Sequence, residues 1–198
     1  MSYFYNKTKF IKSVPSIKNA PLDVGSEVIF AGYSNVGKSS VINAITEQKK
    51  LAKVSKTPGR TQHLVFFEVD KGVRLIDLPG YGYAKVPIAI KNKWYINIKE
   101  YFEKRKSLVG AILVIDIRRS LKEFDKQMLK WCTYNNILVH ILLNKADKLS
   151  NNKAKNTLLK VIKEIKNPSL VSVQLFSSLK KTGISELKNI LDSMLQKN

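Results

Sequence analysis

Two glycines five positions apart, followed at once by a lysine and a hydroxyl, form the run Gly32-Tyr33-Ser34-Asn35-Val36-Gly37-Lys38-Ser39. That order fits the G-x-x-x-x-G-K-[ST] phosphate loop. Glycines at both ends let the backbone curl until successive amide N–H groups converge on a polyphosphate. Lys38 is then placed to reach the β- and γ-phosphates, and the Ser39 hydroxyl to meet Mg2+. A helix starting there would turn its positive dipole end toward the same oxygens. Apolar runs at 28–31 and 41–45 supply the strand–loop–helix setting that the motif requires. The plain alternative, a glycine-rich turn opening an ordinary helix, does not need that setting.

Further along, Asp77-Leu78-Pro79-Gly80 closes a short apolar run. A carboxylate at the carboxyl end of a strand lies where α/β sheets bind ligands. Asp77 is expected to hold Mg2+ through a water, and the Gly80 amide to bond a γ-phosphate that vanishes on hydrolysis. Asn144-Lys145-Ala146-Asp147 ends another apolar run. Guanine presents two adjacent N–H donors on one edge and O6 and N7 acceptors on another. Asp147 suits both donors, Asn144 suits N7, and the Lys145 stem suits the flat face of the base. Phe176-Ser177-Ser178 follows the last apolar run, and its backbone N–H groups are expected near O6.

Between the first helix and the second strand lies a Pro-Gly turn leading into Gly59-Arg60-Thr61-Gln62-His63, a stretch expected to be mobile. Thr61 is the candidate hydroxyl for closing over Mg2+ when a γ-phosphate is present, with Thr57 as the alternative. Lys38, Thr61 and Gly80 are thus the candidate catalytic groups. Arg60 is a further candidate, its guanidinium positioned to neutralise charge on the β–γ oxygens. His63 either approaches the nucleotide or simply starts a strand, and His140 reads as a hydrogen-bonded core histidine.

The elements that must position these groups show in the spacing of apolar residues. Strands are expected at 28–31, 64–69, 73–77, 111–116, 138–143 and 171–176, with helical patterns between them. Trp94, Ile98, Tyr101 and Phe102 share one helical face, as do Ile184, Leu187, Leu191, Met194 and Leu195. Asp70-Lys71-Gly72 joins two strands as a hairpin, so one strand should run antiparallel to the rest. The expected fold is α/β, a mostly parallel six-stranded sheet with one antiparallel strand and helices on both faces. Residues 1–25 read as an irregular N-terminal leader, either packed on the domain or mobile, and 26–198 as one domain.

Composition narrows the partners. The chain of 198 residues carries 35 Lys and Arg against 15 Asp and Glu, a formal charge of +20. Such a balance favours a polyanion, RNA ahead of an anionic membrane surface. Its alternative is a solvated lysine surface from a bias toward Lys, Asn and Ile. No apolar run is long enough for a membrane span, and no secretory signal is apparent. Cys132 is alone, which rules out an internal disulfide and fits a reducing cytoplasm.

Taken in order, residues 32–40, 57–62, 77–84, 116–119, 144–148 and 176–183 resemble the EngB family of ribosome-biogenesis GTP-binding proteins, of the translation-factor class. The tyrosine-rich stretch Tyr81-Gly82-Tyr83-Ala84 is specific to that resemblance, while Tyr33 and Val36 depart from it without touching the loop's backbone role. The resemblance implies a Ras-like P-loop G domain that binds GTP or GDP with Mg2+. It also implies slow GTP hydrolysis, a switch role in large (50S) subunit assembly and a link to cell division and septation. The expected partners are the large ribosomal subunit and its rRNA, with no DNA, and the chain is expected to act as a cytoplasmic monomer. Similarity to potassium-activated assembly GTPases further suggests that Asn35 offers its side-chain oxygen to K+. Two other functions remain open here: an RNA-binding assembly module that uses GTP as a structural ligand, and a cell-division regulator acting away from the ribosome. An ATP-using kinase-type enzyme is disfavoured by Asp147.

Overall fold

The computed structural model describes residues 2–53, 63–82, 88–119 and 121–196, with 88–93 as backbone alone. Seven strands alternate with five α-helices. In chain order they are β1 (Lys9–Val14), β2 (Ser26–Ala31), α1 (Lys38–Ile45), β3 (Leu64–Asp70), β4 (Val73–Asp77), α2 (Ile88–Lys104) and β5 (Leu108–Asp116). There follow α3 (Glu123–Tyr134), β6 (Leu138–Asn144), α4 (Asn151–Glu164), β7 (Val171–Leu175) and α5 (Ile184–Leu195).

The sheet order is β1-β3-β4-β2-β5-β6-β7. β3 runs antiparallel to both neighbours and the other pairings are parallel. β3 and β4 are joined at Gly72, whose φ of 75° suits the tight turn. The interior strands read as nearly unbroken apolar runs because both of their faces are covered. Alternate residues enter opposite layers. Ile29, Leu113 and Ile115 pack with Ile98 and Tyr101 of α2, Met128 of α3 and Val161 of α4. Val28, Phe30, Ile112 and Val114 pack with Val41 and Ile42 of α1 and Leu187 and Leu191 of α5.

The sheet has seven strands rather than the six expected, and the extra one comes from the stretch read as irregular. β1 pairs with β3 through a register shift between Phe10 and Lys12. Of its six residues only Val14 is buried, so no alternation of apolar and polar residues marks it. Tyr5 is buried as well, and its hydroxyl donates to Asp192 of α5 at 2.8 Å. Pro21–Val24 is tied to the opposite end of the sheet from the phosphate loop. There the fully buried Glu27 accepts from Arg74 (3.0 Å), Arg105 (2.6 Å) and the Tyr101 hydroxyl (2.6 Å). The same arginines donate to the carbonyls of Val24 and Pro21 at 3.0 and 2.8 Å. Two guanidiniums on one carboxylate, with backbone carbonyls taking further protons though not that of Arg74 Nε, offset a charge that would be costly to bury alone.

The strand order reverses at β2, with β3 and β4 to one side and β5 to β7 to the other. A crevice at the carboxyl end of the strands is expected at such a switch point. Among the described residues, the candidate turns after β2, β4, β6 and β7 leave from that end.

Candidate guanine-nucleotide site

Residues 32–37 bridge β2 and α1 as a compact loop. Gly32 (φ 150°), Asn35 (φ 61°) and Gly37 (φ 102°) all have positive φ, which turns the backbone inward. A side chain at Gly37 would have its Cβ 2.5 Å from Asn144 Nδ2, so only glycine fits there. Lys38 is 8% exposed and its ammonium donates to the carbonyl of Gly32 at 3.2 Å. Burial pulls its pKa below the usual lysine value, against the opposing pull of Asp77. The first-turn N–H groups of a helix have no intrahelical partner, so the start of α1 behind Gly37 offers donors to an anion.

Ser39 and Asp77 meet as the motifs predict. The Ser39 hydroxyl donates to Asp77 Oδ2 at 2.9 Å, while the buried Asp77 Oδ1 has no hydrogen-bond partner. Burial raises the Asp77 carboxyl above its ordinary value, and Lys38 and Ser39 only partly offset this. A buried carboxylate oxygen without a donor is costly. Mg2+ prefers hard oxygen ligands and keeps several of its waters. A serine hydroxyl beside an orphaned carboxylate oxygen therefore fits that ion, directly or through a water.

The turn after Asp77 is pressed onto the phosphate loop. Ser34 N–H donates to the Tyr81 carbonyl at 3.0 Å, and Tyr81 N–H donates to the Gly32 carbonyl at 3.4 Å. A Cβ on Gly80 would come within 3.1 Å of both Lys38 Nζ and Ser34 Cα. Gly80 thus lies beside the lysine ammonium. Tyr81 is held from outside: its hydroxyl donates to Asp125 at 2.7 Å, and its ring lies 4.7 Å from Tyr33 and 5.8 Å from Phe124. Leu78 is buried, and the Pro79 carbonyl accepts from the Trp94 indole at 3.2 Å.

Asn144, Lys145 and Asp147, the candidates for base recognition, line an open cleft of about 830 Å3 together with Gly37, Ser40 and Ser178. Asn144 is 2% exposed; one of its amide protons goes to the Val36 carbonyl at 2.8 Å, leaving the other for a base nitrogen. Asp147 Oδ1 accepts from the Ser177 hydroxyl at 2.6 Å, a bond that lowers the carboxyl's pKa and orients it. Lys145 (φ 64°) reaches back across the loop to the Asn35 carbonyl at 2.7 Å, and Ala146 N–H bonds the Phe176 carbonyl at 3.0 Å.

One expectation changes and one open alternative narrows. The Ser177 N–H, expected to face guanine O6, donates instead to the Thr182 carbonyl at 3.2 Å, because Ser177 and Thr182 close an antiparallel bridge. Ser177 acts here through its hydroxyl on Asp147. The Ser178 N–H faces Asn144 Oδ1 at 3.5 Å. His63 precedes β3, exposed, and its Nδ1 meets the Ser13 hydroxyl at 3.2 Å, which fits the strand-start reading. Thr57, Gly59, Arg60, Thr61 and Gln62 lie outside the described residues. The residue-by-residue reading passed over Asp116 and Asp125, which reach the site's second rank from β5 and α3; only their tertiary contacts reveal them.

Comparison with known proteins agrees with this geometry. A family model described as 50S ribosome-binding GTPase matches residues 27–145. A probable GTP-binding protein EngB from Ruthia magnifica is 58% identical over 187 residues, covering 94% of each chain. A solved structure of a probable GTP-binding protein engB has a TM-score of 0.71 at 24% identity, covering 87% of this chain and 100% of its own. Era, solved in complex with MgGDPNP and a stretch of 16S ribosomal RNA, has a TM-score of 0.61 at 26% identity, over 87% of this chain and 57% of its own. With its glycine-lysine-serine loop, a buried carboxylate oxygen without a partner and the Asn144–Asp147 turn on one rim of the sheet, the chain belongs to the EngB family of GTP-binding proteins, P-loop GTPases.

Proposed function

We propose that this protein is a Mg2+-dependent GTP switch in assembly of the large ribosomal subunit, and that it works in the cytoplasm as a monomer. The observation that carries the switch is the contact of Gly80 and Tyr81 with Lys38 and the loop residues 32–34, together with the partnerless Asp77 oxygen. A γ-phosphate entering beside Lys38 meets Gly80 directly, so its presence is read by the Tyr81 turn and through it by α2 and α3. Era's complex with MgGDPNP supports the metal assignment for a related G domain. Lys38 would bind the β- and γ-phosphates, Ser39 and Asp77 would hold the ion, and Thr61 would close over it. Tyr81 stands where Ras-type enzymes place a water-orienting glutamine, so unassisted turnover should be at or below about 10⁻⁴ s⁻¹.

The ribosomal partner is supported by the description of the matching family model and by the excess of 35 basic over 15 acidic residues. Among the described residues no helix is long and apolar enough to cross a membrane. A role in normal cell division and septation is proposed on the family resemblance. The test is cosedimentation with 50S particles in a non-hydrolysable GTP analogue, in GDP and without nucleotide. Binding only with the analogue is expected; equal binding in all three states would overturn the switch. Single-turnover phosphate release with and without subunits then separates a hydrolytic switch from a module that keeps GTP as a structural ligand.

A further inference from the structure

The Asp116 carboxylate stands outside the loops that read phosphate and base, yet four donors converge on it. It sits at the carboxyl end of β5, where Asp116 pairs in register with Asn144 of β6. Its Oδ1 accepts from the Arg118 N–H at 3.2 Å and from Arg118 Nε at 2.9 Å. Its Oδ2 accepts from Arg118 Nη2 at 2.6 Å and from Lys145 Nζ at 3.0 Å. The same Lys145 ammonium donates to the Asn35 carbonyl at 2.7 Å. The Asp116 side chain is 4% exposed, that of Lys145 30% and that of Arg118 48%.

This chain of contacts joins two strained places. Asn35 and Lys145 both hold left-handed backbone without being glycine, at φ 61° and 64°. Such conformations persist only where surroundings over-determine them. One ammonium, anchored by a nearly buried carboxylate, spans both. The carboxyl of Asp116 is held far below the usual carboxylate range by Arg118 beside it, so the anchor stays charged.

We propose that Asp116 is a positioning residue for nucleotide retention: it fixes the Lys145 ammonium over the Asn35 carbonyl, locking the base-recognition loop to the phosphate loop. Arg118 draws on the same carboxylate from the solvent side. Two cations sharing one carboxylate weaken each other's hold, so removing Arg118 leaves Asp116 wholly to Lys145. Removing the Asp116 charge leaves Lys145 with a single neutral acceptor, and the two loops lose their common tie. The inference rests on the reading of Lys145 as the residue that covers the base.

Release of a fluorescent GDP analogue, chased with excess GDP, tests this in wild type, Asp116→Asn, Lys145→Met, their double variant and Arg118→Ala, with thermal midpoints measured alongside. Asp116→Asn should release about tenfold faster, the size of one net hydrogen bond. The double variant should release no faster than Lys145→Met alone, because Asp116 acts through that lysine. Arg118→Ala, exposed and safe to fold, should release at the wild-type rate or more slowly. A carboxylate that merely scaffolds the loop would make Arg118→Ala faster too, and that result overturns the proposal. So does a double variant whose acceleration is the product of the singles. Asp116→Asn at the wild-type rate beside a fast Lys145→Met overturns this inference alone. A Lys145→Met variant that behaves as wild type overturns the base-site reading and this inference with it.

Discussion

At the scale of single residues, Asp147 and Asn144 owe their orientation to neighbouring groups, a serine hydroxyl and a loop carbonyl. Ser177 turns Asp147 with a 2.6 Å bond, and Val36 fixes Asn144 with one of 2.8 Å. The carboxylate is thereby set before the base arrives, which removes an ordering cost from binding. Asp147→Asn places an amide N–H2 against a base donor and should weaken GTP binding by about 2–3 kcal/mol. Xanthine carries a carbonyl at that position, so the variant should prefer XTP. Titrating both nucleotides against both proteins checks this, and an unchanged preference for GTP would remove Asp147 from the guanine edge. Asn35 poses a separate question. Its backbone is held by Lys145, while its residue is exposed at the mouth of the loop. A monovalent cation held by its side-chain oxygen would neutralise charge developing on the β–γ oxygens. Hydrolysis in potassium should then exceed hydrolysis in sodium at equal ionic strength, and Asn35→Ala should abolish the difference. Equal rates for wild type in both salts would leave that task to Arg60 or to a group from the ribosome.

At the scale of elements, β6 and β7 are stapled by one buried histidine. His140 Nε2 meets Gln174 Oε1 at 2.9 Å, and Nδ1 meets the Ser172 hydroxyl at 2.8 Å. Gln174 donates its own amide to the Gly183 carbonyl at 2.9 Å, so its oxygen must face the ring. Nε2 therefore carries the proton and Nδ1 accepts from serine. Burial lowers the His140 pKa to about 4 from the ordinary imidazole value of 6.5, which fixes the sign of its effect. The unfolded chain takes the proton first as pH falls, so the folded state's advantage is full above 6.5 and lost between there and about 4. Denaturant titrations should show about 2 kcal/mol of stability lost from this residue between pH 6.5 and 5. In His140→Gln that slope should disappear. A wild-type stability independent of pH across that window would contradict the assignment.

At the scale of the whole molecule, charge is the dominant surface property. Lys153, Lys155, Lys160 and Lys163 on α4 are exposed and have no ion pair among the described residues. The stretch 148–182, in which α4 lies, carries eight Lys against Glu164 alone. If α4 lies on the RNA, each lysine that neutralises a phosphate contributes about 0.7 to 0.9 to the slope of log K against log salt. Replacing Lys155 and Lys163 with Gln should flatten that slope for 50S binding while GTP affinity holds. Binding to the subunit that ignores salt would sink the electrostatic account.

The chain's sequence alone determined the positions where backbone chemistry is local. Gly32, Gly37 and Gly80 stand at fixed spacings from Lys38 and Asp77 because a loop that wraps phosphate admits few residue types. Six strands and the hairpin at Gly72 were legible for a similar reason: most are apolar runs covered on both faces or end at a turn glycine, and β7 keeps apolar residues at alternate positions. β1 was not, since an edge strand with five exposed residues of six leaves no periodic trace. Nor were the roles of Ser177, Asp116 and Asp125. A hydroxyl or carboxylate looks alike in sequence whether it meets a base, a lysine 29 residues away or a tyrosine 44 residues away. Those partners are chosen by which strand ends the sheet order sets side by side. That order is settled by long-range packing, which no local spacing records.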